Sequence, residues 1–88
     1  MKTPKQLERY FKGAANHRRL EILFLISKHP HLGVGEIAEA LNANFKTISQ
    51  HTQRLVQAGL INKKYQGHEV EHFLSPFGKK FSDFAKSF

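Results

Sequence analysis

The chain has 88 residues, enough for one small domain, and carries 14 Lys and Arg against 7 Asp and Glu, a formal net charge of +7. So basic a domain points to an anionic partner, with nucleic acid as the first expectation. It contains no cysteine, which excludes disulfides, cysteine-ligated zinc and a thiol nucleophile, and which fits a reducing compartment.

The opening stretch, Met1 to Phe11, has no apolar signal core, and no apolar run reaches membrane-spanning length. The expected location is the cytoplasm, with no membrane partner. Thr3-Pro4-Lys5-Gln6 reads as a helix start. Thr3 can cap, Pro4 suits the first helical position, and Gln6 completes a capping box. Leu7, Tyr10, Phe11 and Ala14 then recur on one helical face, and Gly13 weakens the helix end. Asn16 caps a second helix, His17 to Lys28. Its Leu20, Ile22, Leu23, Phe24, Leu25 and Ile26 are apolar on nearly every side, the pattern of a buried central helix. Arg18 and Arg19 at its start are read as solvated, with phosphate contacts as the alternative. Pro30 forbids continuation and pushes His29 out of helical geometry.

Gly33 to Leu60 is the organising stretch. A short helix from Val34 to Leu41 sets Ile37, Ala38 and Leu41 on one face, with Glu36 in its first turn, where the helix dipole favours an acid. Asn42-Ala43-Asn44 has room only for a turn. Asn44 can cap a further helix from Phe45 to Ala58, and Gly59 suits the left-handed position that ends it. Two helices joined by so short a turn form a helix-turn-helix, whose second helix can enter the DNA major groove. Ile48, Thr52 and Leu55 point inward. Lys46, Ser49, Gln50, Gln53 and Gln57 fall on the other side, a face with donors, acceptors and a cation but no acid. No Asp or Glu occurs between Glu39 and Glu69, whereas Lys46, Arg54, Lys63, Lys64, His51 and His68 do. The charge is therefore a patch over this helix and the segment after it.

After Gly59 the apolar period shortens toward two. Leu60 to Tyr65 and Glu69 to Leu74 read as paired strands, and Gln66-Gly67-His68 as their turn. A hairpin directly after a recognition helix is a wing, from which Lys63, Lys64 and the tip can reach phosphates. The bland alternative is a hairpin that only covers the core. Ser75-Pro76 then starts a last helix with Phe77, Phe81, Phe84 and Phe88 on one stripe. The stripe can pack on the first helix within the chain. The reading adopted is a homodimer interface formed by Leu7, Phe11, Phe77, Phe81, Phe84 and Phe88, since large exposed apolar patches mark interaction surfaces.

The expected fold class is mainly α with a two-stranded β-hairpin wing, a winged helix-turn-helix, over a single domain, residues 1–88, whose terminal helices dimerise. The wording resembles the ArsR family of transcriptional repressors. Asn16-His17-Arg18-Arg19-Leu20-Glu21-Ile22-Leu23 is similar to the start of that family's core helix. Gly35-Glu36-Ile37-Ala38 and Thr47-Ile48-Ser49-Gln50-His51 resemble its helix-turn-helix, and Ala58-Gly59-Leu60-Ile61 with Gly67 to Leu74 resemble its wing. By position, the resemblance implies that Phe45, Lys46, Ser49 and Gln50 face bases and that His51 lies at or near the backbone. Four residues depart from the family: Thr52 stands where Leu is usual, His68-Glu69 where the wing tip often has Arg, and Arg54 where an apolar residue is common. The residues expected at DNA are Asn44, Phe45, Lys46, Thr47, Ser49, Gln50, His51, Gln53 and Arg54, with Lys63, Lys64 and His68 from the wing.

Many members of the family sense metals through Cys pairs or through His and Asp in the last helix. Here there is no Cys, the last helix has only Asp83, and the 6 His fit no ligand spacing, so each is read as an ordinary surface residue and no metal or other cofactor is expected. An enzyme is not expected either, because Ser49 and His51 diverge on one helix and no paired carboxylates or phosphate-cradling glycine loop occur. The expected function is that of a homodimeric, sequence-specific DNA-binding regulator, most simply a repressor, with double-stranded DNA and a second copy of itself as partners. The alternative is a winged-helix protein-interaction module, mildly favoured by Glu69 and Glu71 in the wing.

Overall fold

Four side-chain caps set the frame of the molecule. A computed structural model describes residues 1–88. Helix α1 (Pro4–Ala14) opens with the full capping box. Gln6 N–H donates to Thr3 Oγ1 at 3.2 Å, and Thr3 N–H donates to Gln6 Oε1 at 2.9 Å. Asn16 Oδ1 accepts from Arg18 and Arg19 N–H at the start of α2 (His17–Lys28), at 2.9 and 3.2 Å. Helix α3 (Val34–Ala40) stops one residue short of the expected Leu41, and its Glu36 turns back to accept from Gly33 N–H at 3.0 Å. Asn44 caps α4 (Phe45–Gln57) through Thr47 N–H at 3.2 Å. Gly59, at φ 82, ends α4 in a Schellman motif, with Gly59 N–H on the Val56 carbonyl and Leu60 N–H on the Leu55 carbonyl, both 3.0 Å.

Strands β1 (Ile61–Gln66) and β2 (Glu69–Leu74) pair antiparallel, Ile61 opposite Leu74 through Gln66 opposite Glu69. The turn between them is Gly67-His68, with positive φ only at Gly67, the pattern of a type II′ hairpin. Helix α5 (Pro76–Lys86) starts on Ser75, whose Oγ accepts from Gly78 N–H at 2.9 Å and donates to the Gly59 carbonyl at 2.6 Å. One hydroxyl thus ties the end of α4 to the start of α5. Five helices and a two-stranded hairpin in this order make a winged helix-turn-helix.

The core gathers Ile22, Leu23 and Ile26 from α2, Ile37 and Ala38 from α3, Ile48 and Leu55 from α4, and Leu60 and Ile61. Helix α2 is central, packing on α1, α4, α5 and β2. It is not buried on every side, however. Leu20, Phe24 and Leu25 remain half-buried, because the chain is too short to wrap the helix completely. Thr52 sits in the core where leucine was the family expectation, and its hydroxyl is satisfied by the Ser49 carbonyl at 2.8 Å.

Two further expectations are corrected. His72 is not a surface residue but 1% exposed. Its Nδ1 lies 2.8 Å from the Leu32 carbonyl, and an isolated bridge to Leu32 (His72 N–H to Leu32 O, 3.0 Å) closes over it. Arg19 is not a solvated side chain. It reaches from α2 to both α1 and α4.

Candidate nucleic-acid interface

Helix α4 divides cleanly. Ile48, Thr52 and Leu55 are buried, while Asn44, Phe45, Lys46, Thr47, Gln50, Gln53, Arg54 and Gln57 are exposed. Ser49 and His51 are half-buried along the boundary. The outer surface carries amides, hydroxyls and two cations, Lys46 and Arg54, and no carboxylate. Its apolar member is Phe45, which is 60% exposed at the first turn, where burial gives it no purpose. Amides can read adenine edges, a lysine can reach guanine or phosphate, and an exposed apolar group can meet a thymine methyl.

His51 is the perturbed titratable group of this face. Burial, then the charges of Arg19, Arg18, His17 and Arg54, hold its pKa below the ordinary imidazole value, so it is neutral near pH 7. Arg19 Nη1 stands 3.4 Å from His51 Nδ1, which leaves that nitrogen as the acceptor and the ring proton on Nε2. Arg19 Nη2 also points to the Lys12 carbonyl at 3.4 Å. Arg9 ties α1 to the end of α4 through the Ala58 carbonyl, at 3.2 Å. The sequence favoured solvation for Arg19 over a phosphate contact and did not show its link to His51. The clue was available, since an arginine in the first turn of a helix opposes the dipole and needs a partner elsewhere.

The wing gives a mixed surface. Lys63, Lys64 and His68 are exposed. Lys63 lies opposite His72 and Lys64 opposite Glu71, so the two lysines project from opposite faces of the hairpin. A duplex lying along one face would meet only one of them. Between β2 and α3, a cleft of about 430 Å³ is lined by Glu36, Glu69 and Glu71 together with Phe45. His31 Nδ1 is 3.4 Å from Glu71 Oε1 there. This acidic side of the wing is unsuited to phosphate.

The opposite end of the molecule is apolar. Helices α1 and α5 lie together, with Tyr10 on Phe77 at 5.0 Å between ring centroids and Phe11 on Phe81 at 5.5 Å. Yet Leu7, Phe11, Phe77 and Phe84 stay at least 38% exposed, around an open hollow of about 400 Å³. Phe88 falls beyond the end of α5 rather than on its stripe, and meets Phe84 edge-on at 5.2 Å. The stripe therefore packs on α1 and still leaves a broad apolar face uncovered.

Known proteins share this architecture. Residues 16–63 match the family of bacterial regulatory proteins, arsR family. The arsenical resistance operon repressor of Escherichia coli is 36% identical over 66 residues, which are 75% of this chain and 56% of that protein. The chain thus spans little more than half the length of that relative. Among solved structures, reduced HlyU from Vibrio cholerae superposes with a TM-score of 0.81 at 30% identity, over 91% of this chain and 84% of that one. A homodimeric winged helix-turn-helix DNA-binding domain from Mycobacterium bovis gives 0.85 at 27% identity, over 94% of this chain and 77% of that one.

Proposed function

The chain belongs to the arsR family of bacterial regulatory proteins, and on that premise we propose that it is a homodimeric, sequence-specific DNA-binding repressor that reads the major groove with α4. Such proteins are regulators and not enzymes. The observation that carries the reading is the outer surface of α4: an acid-free row of exposed amides and cations on a helix whose other side is locked into the core. In this reading Phe45, Lys46, Ser49 and Gln50 approach base edges. Asn44, Thr47, His51, Gln53 and Arg54 hold the helix on the sugar–phosphate backbone, and the wing offers His68 with whichever of Lys63 and Lys64 lies on the face toward the duplex. Repression is supported by the relative's role in the arsenical resistance operon. The dimer is supported by the uncovered α1–α5 face and by the homodimeric mycobacterial neighbour.

Duplex binding measured by fluorescence anisotropy tests this. The affinity is expected to fall by about 10³ between low and moderate salt, as counterions released by the phosphate contacts compete for rebinding. Gln50→Ala is expected to relax preference at one base pair by about 1–3 kcal/mol. Arg54→Ala, at a backbone-holding cation, is expected to weaken all sequences alike and to lower the salt slope by about one. Salt-insensitive binding, or a Gln50→Ala protein with the parent's base preference, would contradict the reading.

A further inference from the structure

A group of cations without counter-charges meets between α1, α2 and α4. The cleft there, about 460 Å³, is lined by Arg19, Gln50, His51, Gln53, Arg54 and Gln57, with no apolar and no acidic side chain. It runs past Arg54 and Gln57 into a smaller hollow of about 240 Å³, where Arg9 and Lys12 join. Two neighbouring cations are already paired, Lys12 with Glu8 at 3.6 Å and Arg18 with Glu21 at 3.3 Å. Arg9, Arg19 and Arg54 form no ion pair.

Arg19 is the one of the three with a buried donor left unpaired. Its Nε is buried without an acceptor, and its other contacts are long, 3.4 Å each to His51 Nδ1 and the Lys12 carbonyl. A guanidinium presents five donors in a fixed fork, and a part-buried one without a counter-charge is costly to keep. His51 adds a donor of its own, because the Arg19 contact at Nδ1 leaves the proton on Nε2.

We propose that this cleft is an oxyanion site, where Arg19 and Arg54 hold a tetrahedral phosphate or sulfate group and His51 donates to it from Nε2. Two sources share that chemistry: a backbone phosphate of a duplex beside α4, and a free dianion acting as effector. The site does not depend on the DNA reading, since a small dianion alone can fill it.

Inorganic sulfate, added to the full chain at constant ionic strength, is the probe, and the His51 ring resonances are the readout. The groups facing His51 are Arg18, Arg19 and His17 from α2 and Arg54 from α4, all cationic or able to become so. A bound dianion opposes all of them, so His51 is expected to titrate at higher pH with sulfate than with chloride, with saturation near millimolar sulfate or about −4 kcal/mol. His68, exposed at the wing tip, is expected not to move. Arg54→Gln, at an exposed position that spares the fold, is expected to weaken sulfate about tenfold, the loss of one charge-assisted bond. Arg19→Gln is expected to abolish the response. A His51 midpoint that is the same in sulfate as in chloride, an equal shift at His68, or an unchanged sulfate affinity in Arg54→Gln overturns the site, whatever the duplex affinity of the parent protein proves to be. If a duplex moves His51 in the same sense and sulfate competes with it, the site takes a backbone phosphate. If a duplex binds and leaves His51 unmoved while sulfate still shifts it, the site takes the free anion.

Discussion

Gly78→Ala is expected to lower stability by about 3 kcal/mol, although alanine is the better helix former by about 1 kcal/mol. A Cβ at position 78 would overlap the Leu60 carbonyl oxygen and come within 2.9 Å of its carbon. Neither side can retreat easily. Leu60 is 0% exposed, and its carbonyl accepts from Ser75 N–H at 3.0 Å. Gly78 N–H is itself held by the Ser75 hydroxyl. The missing side chain is what lets α5 start directly against the end of the helix-turn-helix, and so it fixes the angle at which the apolar face stands to α4. Thermal unfolding checks this. A fall in Tm of more than about 10 °C is expected for a domain of this size. An unchanged or raised Tm would show that α5 can move away from Leu60 at little cost.

The second large effect is expected from Phe81→Glu, which should turn a dimer into a monomer and cost about 10² or more in DNA affinity. Phe81 lies at the middle of the apolar face, with ring centroids 5.5 Å from Phe11 and 6.3 Å from Phe84. A carboxylate there must either leave the face or be buried unpaired at a cost of several kcal/mol. A protein that grips two half-sites gains about 10²–10⁴ from linking them, and a monomer loses that gain without losing any contact of its own. Since Phe81 also packs on α1, Phe84→Glu serves as the companion variant, at a ring that is 50% exposed. Light scattering at micromolar concentration, with circular dichroism to confirm the fold, distinguishes the outcomes. A parent protein that is already monomeric, or variants that stay dimeric, would show that the α1–α5 face is not a dimer interface.

What the sequence made legible was local. Thr3, Asn16, Asn44 and Ser75 each cap a helix through backbone N–H groups two or three residues onward, so their role is written within one turn of chain. The positive φ of Gly59 and Gly67 follows from the turns they end or make. What escaped was long-range. His72 read as a surface residue because hairpin alternation alone cannot show that Leu32, 40 positions earlier, bridges to it. Arg19 read as solvated because its partner His51 is 32 positions away. Gly13 read as a mere weak helix end, yet an added Cβ there would overlap the Ala58 side chain, so the glycine lets α1 approach the end of α4. The phenylalanine stripe was legible as a face, but its division between α1 and the outside depended on how α5 leaves Leu60.

Selection of bound duplexes from a random pool at physiological salt shows whether α4 reads sequence. If two α4 helices enter successive major grooves on one side of the DNA, the enriched sequence should be an inverted repeat, with half-site centres about 34 Å or one helical turn apart. Gln50→Ala should lose enrichment at one position in each half. A pool no more enriched than random sequence, at a salt concentration where the protein still binds, would contradict sequence-specific reading by α4.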